Sequence, residues 1–142
     1  MTQVQTPIPM KFRKTIMADS GNEKADPHVG KLVDGCILDR KLGQGGMGIA
    51  YLATHTELQR HFVIKLLNPS LASSEDTIQR FYREAQSVAK LNHQNIVAIQ
   101  NVGHDNDFYF IRMEYVDGVT LESIVRARKK LDWRKASEII YQ

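Results

Sequence analysis

Apolar positions along this chain fall into short bursts separated by polar and glycine-rich breaks. From Cys36 to Leu42 hydrophobic residues alternate with charges at Asp39, Arg40 and Lys41, which predicts a partly exposed strand. A run of glycines follows. Ile49 to Thr54 and His61 to Leu67 are then apolar, β-forming stretches joined by the polar segment His55 to Arg60. Asn68-Pro69-Ser70 breaks the pattern, and Ser73 or Ser74 is suited to cap a helix whose first turn holds Glu75 and Asp76. Ile78, Phe81, Tyr82, Ala85, Val88 and Ala89 recur at helical spacing to about residue 90. Two more strands are predicted, Ile96 to Val102 and Phe108 to Tyr115, turning at 103–107. After the Asp117-Gly118 break, Leu121, Ile124 and Val125 begin a short helix capped by Thr120. Asp132 is placed to cap another, in which Trp133, Ala136, Ile139 and Ile140 share a face. Residues 1–34 mix proline, glycine and polar residues without periodicity and read as a largely disordered tail.

Composition narrows the classes. The 142 residues are 42% hydrophobic and 25% charged, which fits one globular domain plus a tail. The net charge of +3 is spread out. Its densest spots, Lys11 to Lys14 and Arg126 to Lys130, read as solvated surface rather than a nucleic-acid interface. The single cysteine, Cys36, excludes a disulfide framework and a cysteine-based metal site within one chain, and a reducing, cytoplasmic setting is the default. The five histidines lack metal-ligand spacing, so no metal site is expected. There is neither a secretory signal pattern nor an apolar run long enough to span a bilayer.

The chemistry concentrates between residues 42 and 84. Gly43-Gln44-Gly45-Gly46-Met47-Gly48 matches G-x-G-x-x-G, a pattern shared by two unrelated phosphate-binding designs. In a dinucleotide-binding unit the glycines open a helix after a buried strand, with an acid about 20 residues on. Here the preceding strand is charged, and the corresponding region reads Phe62-Val63-Ile64-Lys65, a base. The alternative is a hairpin whose glycine turn presents backbone N–H groups to phosphates, where any Cβ would hold the ligand off. Alternation places Val63 and Lys65 on one strand face, with Ile64 and Leu66 on the other. Glu84, three residues after Phe81 and four before Val88, borders the apolar stripe of the helix. Singly, Lys65 and Glu84 are ordinary surface charges. A strand, glycine turn, strand, strand with lysine and helix with glutamate form a far more specific order, in which the lysine neutralises phosphate oxygens and the glutamate holds the ammonium.

In that order the chain resembles the N-terminal lobe of the eukaryotic-type (Hanks-type) serine/threonine protein kinases, most of all the bacterial members. The resemblance runs over about residues 33 to 142. It includes Lys65 to Ala72, Arg80 to Ala85, Leu91 to Val97 (with Gln94 where proline is usual) and Met113 to Gly118. It implies an α+β fold: a five-stranded antiparallel sheet with the family's αC helix over 35–116, then hinge and first C-lobe helices over 117–142. It assigns Leu42, Gly43, Gln44, Gly45, Gly46, Met47 and Gly48 to a loop over ATP. Lys65 would contact the α- and β-phosphates, and Glu84 would orient Lys65. Ala50 and Val63 would roof the adenine, Met113 would line the back of the pocket, backbone groups of Glu114 and Val116 would bind the base, and Thr120 would meet the ribose. Ala50 and Val63 reverse the family's usual valine and alanine at these two places, a swap that roughly conserves volume.

The family's catalytic aspartate, its companion asparagine and the metal-binding Asp-Phe-Gly lie beyond the first C-lobe helices, and no such string occurs in these 142 residues. The expectation is therefore the ATP-binding part of a protein serine/threonine kinase. It would be inactive alone, bind ATP weakly, and use Mg2+ only when a C-lobe is supplied. An exposed face on the last helix, with Leu131, Trp133, Ile139 and Ile140, favours association with another chain. A non-catalytic kinase-like interaction or regulatory module is the alternative, and a dinucleotide-binding protein a remote third.

Overall fold

The structure is a computed structural model that describes residues 26–141. Six antiparallel strands form one sheet, in the order β1-β2-β3-β4-β6-β5. They are β1 (Leu32–Val33), β2 (Cys36–Gln44), β3 (Gly48–His55), β4 (His61–Leu67), β5 (Ile99–Asp105) and β6 (Phe108–Glu114). Helix α1 (Glu75–Ala89) lies between β4 and β5, and α2 (Leu121–Arg128) and α3 (Trp133–Tyr141) follow the sheet. The fold is α+β, as expected, with a sixth strand. At two residues β1 is too short to show periodicity. It forms because Asp34 and Gly35, both at positive φ (51° and 71°), make the tight turn that folds it onto β2.

Much of the expected tail lies outside the described residues, up to residue 25. Its remainder, 26–34, is part of the domain. Val33 is fully buried, the Asp26 carboxylate accepts the Tyr51 hydroxyl proton at 3.0 and 3.1 Å, and His28 packs edge-on against Tyr51 and Phe108.

Both faces of the sheet are covered. One buries Val33, Cys36, Leu38, Tyr51, Ala53, Phe62, Ile64, Leu66 and Phe110. The other buries Leu67 and Ile111 beneath the α1 stripe of Ile78, Phe81 and Ala85. The helix begins where Ser74 accepts the Thr77 N–H at 3.3 Å, with Glu75 and Asp76 in its first turn, where the helix dipole favours acids. The sheet curls until its two edges meet. The β1–β2 turn reaches the β5–β6 hairpin: Asp34 N–H donates to Asp105 Oδ2 at 2.7 Å and Asn101 Nδ2 donates to Asp34 Oδ1 at 2.9 Å. Arg112 Nη1 lies 2.9 Å from Asp34 Oδ2 and donates to the Asp34 carbonyl at 3.1 Å.

β5 departs most from the expected bounds, starting three residues later at Ile99. Ile96 and Val97 look like a strand start but lie exposed in the irregular segment after α1. Gly103 belongs to the strand rather than the turn. It pairs with Phe110, and a Cβ there would sit 3.2 Å from the Phe110 ring.

Candidate nucleotide-binding site

The β2–β3 hairpin carries the glycine loop at its tip. Gly43 pairs with Ala50 and Gln44 with Ile49, and Gly45 N–H donates to the Gly48 carbonyl at 2.9 Å to close the turn. The loop is anchored at its base, where Asn68 N–H donates to the Met47 carbonyl at 3.0 Å. Gly48 passes so near β4 that a Cβ would lie 2.3 Å from the Leu66 carbonyl oxygen, so this glycine is required by the fold. Gly43, Gly45 and Gly46 differ. None has positive φ, and an added Cβ would meet nothing within 4 Å. Among the described residues nothing explains their being glycine, and together they leave an open backbone concavity under the hairpin tip.

Strand pairing puts Lys65 opposite Ala50 on β3 and opposite Ile111 on β6, and so onto the face that α1 covers. There its ammonium lies 3.4 Å from Glu84 Oε1 and 5.9 Å from the centroid of the Phe81 ring. The lysine side chain is 26% exposed and the glutamate 51%, so this pair meets solvent and is open to a ligand. A cavity of about 420 Å³ is lined by Gly43 through Gly48, Ala50, Lys65 and Glu84. Its backbone donors and single ammonium suit an anion, with Glu84 holding the ammonium in place.

The other expected contacts do not line this cavity. Leu42 is the extra residue of a β-bulge between Lys41 and Gly43, and it is exposed. Val63 pairs with Leu52 and Met113, and so continues the Ala50–Lys65 face by one more row, about 7 Å along the strands. Glu114 N–H donates to the Ala98 carbonyl at 3.0 Å, and its carboxylate accepts the Ala98 N–H at 3.1 Å. Val116 lies beyond β6 and is exposed. Thr120 caps α2, its hydroxyl accepting the Ser123 N–H at 3.1 Å.

Two contributors escaped the sequence reading. Lys41 Nζ donates to Gln44 Oε1 at 2.8 Å, spanning the bulged end of β2 that leads into the glycine turn. Phe81, read from the sequence only as part of the apolar stripe, supplies the ring beside Lys65 from one helical turn before Glu84. A second, wider concavity of about 540 Å³ lies between the segment after α1 and helix α3, against His93, Ile96 and Ile139.

Comparison with known proteins gives the family. The sequence model for the protein kinase domain matches residues 37–142. The chain is 41% identical over 115 residues to the serine/threonine-protein kinase PrkC of Bacillus subtilis, covering 80% of this chain and 18% of the relative. Over 113 residues it is 42% identical to the serine/threonine-protein kinase PknB of Mycolicibacterium smegmatis, again 18% of that protein and 77% of this chain. The crystal structure of the Mycobacterium tuberculosis PknI kinase domain superposes with a TM-score of 0.58 at 30% identity, covering 70% of this chain and 40% of that one. The chain thus spans about a fifth of the length of these two relatives.

Proposed function

Because this chain belongs to the protein kinase family, we propose that the glycine hairpin, Lys65 and Glu84 form the phosphate-binding half of an ATP site. The carrying observation is the set of three glycines, Gly43, Gly45 and Gly46, that no neighbour among the described residues and no positive φ requires. Selection for an approaching ligand explains them, and the ligand they face is the one that Lys65 attracts. Bound there, ATP would supply the transferable phosphoryl group. Loop N–H groups and the Lys65 ammonium would hold the phosphates, Glu84 would keep that ammonium from swinging to solvent, and the Ala50, Val63 and Met113 face would take the base. In a complete kinase domain the acceptor would be a protein serine or threonine.

These 142 residues contain no catalytic-loop aspartate or Asp-Phe-Gly segment, so in this reading they bind nucleotide without turning it over. Calorimetric titration of the chain with Mg-ATP, beside Lys65→Met, tests the site. The expected result is weak binding that the substitution abolishes. No heat at millimolar nucleotide would remove the site, and steady turnover lost in Lys65→Met would overturn the claim of inactivity.

One observation favours a second, compatible role. Trp133, Ile140 and Tyr141 are 70%, 85% and 94% exposed. So apolar a face on α3 is suited to packing against further kinase-domain structure or another protein chain.

A further inference from the structure

Lys65 and Glu84 sit on different elements, so the ion pair exists only while α1 holds one rotation about its axis. The apolar stripe of Ile78, Phe81 and Ala85 fixes the distance of the helix from the sheet. Such contacts are non-directional and tolerate rotation. Directional contacts lie along one side of the stripe. Tyr82 meets Tyr109 of β6 edge-on, with ring centroids 6.2 Å apart and planes at 79°, and Tyr109 in turn lies against His104 of β5 at 4.4 Å. Tyr82 also meets its neighbour Phe81 edge-on at 6.3 Å, and Phe81 is the ring beside Lys65. Burial, and then the neighbouring Tyr109, push the Tyr82 phenol above its ordinary pKa, as a ring lodged against the sheet requires.

Helical geometry makes this stack a stop. At about 100° per residue, Tyr82 and Glu84 project from opposite flanks of the stripe. A rotation that withdraws Glu84 from Lys65 therefore drives the Tyr82 ring into Tyr109, which His104 backs from the neighbouring strand. We infer that Tyr82 and Tyr109 are positioning residues for the Lys65–Glu84 pair, acting through the rotation of α1. The inference builds on the ATP-site reading but does not need nucleotide for its test. Edge-to-face geometry belongs to the rings, so the phenyl group of Tyr109, not its hydroxyl, carries the effect.

The test is the rate at which Lys65 of the full chain is acetylated by an N-hydroxysuccinimide ester without nucleotide, read by mass spectrometry. Glu84→Gln should raise that rate about two- to fivefold, the range expected for a half-exposed ion pair. Tyr109→Ala should raise it by the same factor and Tyr109→Phe should leave it unchanged. In a Glu84→Gln background Tyr109→Ala should add nothing. An unchanged rate in Tyr109→Ala, or an added rise in the Glu84→Gln background, overturns the inference, the latter because it signals general loosening. If Tyr109→Ala loses its helical circular dichroism, Tyr82→Leu, which keeps an apolar, helix-favouring side chain, takes its place with the same expected rise. Mg-ATP that fails to protect Lys65 in the parent chain would count against the ATP-site reading alone.

Discussion

The Asp34 N–H donates to the Asp105 carboxylate across 2.7 Å, joining residues 71 positions apart and bringing the first edge of the sheet to the last. Arg112 completes the clasp through the Asp34 carboxylate and carbonyl while its guanidinium lies 5.3 Å from the Phe62 ring. Asp34 and Arg112 are each less than a fifth exposed, so removing one strands the charge of the other. Arg112→Met should lower stability by about 2–4 kcal/mol. A drop in the urea midpoint at constant slope would show it, and an unchanged midpoint would mean the clasp is decorative.

The glycines of the loop should separate into two classes. Gly48→Ala puts a Cβ against the Leu66 carbonyl and should destabilise the domain by about 1–3 kcal/mol, whether or not nucleotide is present. Gly45→Ala and Gly46→Ala have open space within the chain and should leave the melting temperature nearly unchanged while weakening Mg-ATP binding. Thermal melts and calorimetry on the three variants distinguish the classes. Equal loss of stability in all three would refute the division.

Tyr51 ties residues 26–28 to the sheet and gives stability a pH signature at both extremes. Its hydroxyl proton goes to Asp26, so His28 Nδ1, 3.0 Å from the same oxygen, must be the donor in that contact. Burial raises the Asp26 pKa, but hydrogen bonds from the His28 backbone N–H and the Tyr51 hydroxyl outweigh it and hold it below 3.8. That contribution is present above pH 3.8 and is lost as pH falls through the lowered value. Burial, then the Asp26 contact, raises the Tyr51 phenol well above 10.0. That contribution is complete below pH 10.0 and is lost as pH rises beyond it. Tyr51→Phe should cost about 1–3 kcal/mol near neutrality and flatten the alkaline fall. A parent and variant with parallel stability curves between pH 9 and 11 (roughly the span around the phenol's ordinary pKa) would contradict this.

The α3 face should make the chain self-associate. Sedimentation at increasing concentration is expected to show a rising mean mass that Ile140→Lys reduces. Because Ile140 is 85% exposed, its melting temperature should change by little. A chain that stays monomeric throughout would remove the case for that surface.

Much of this was legible locally. The span His61 to Leu67 and the capped helix from Ser74 follow from alternation, helical spacing and a cap residue, all decided within a few neighbours. The glycine loop, Lys65 and Glu84 were recognisable by order along the chain, and pairing of β3 with β4 placed the lysine beneath the loop. What local patterns miss is short or distant. The two-residue β1 has no period to detect, and Ile96-Val97 mimics the start of a strand that begins three residues later and runs through Gly103.

The sequence by itself determined most of the elements, because propensity and periodicity act over a turn or a strand, and the order of its motifs picked out the charged pair. Only the tertiary structure decided that Lys65 and Glu84 meet at 3.4 Å, that Tyr82 of the helix meets Tyr109 of the sheet edge-on, and that Asp34 links the sheet edges. Those contacts depend on the curl of six strands and the rotation of one helix. Such geometry is set by packing residues far apart in the chain, and no local pattern encodes it.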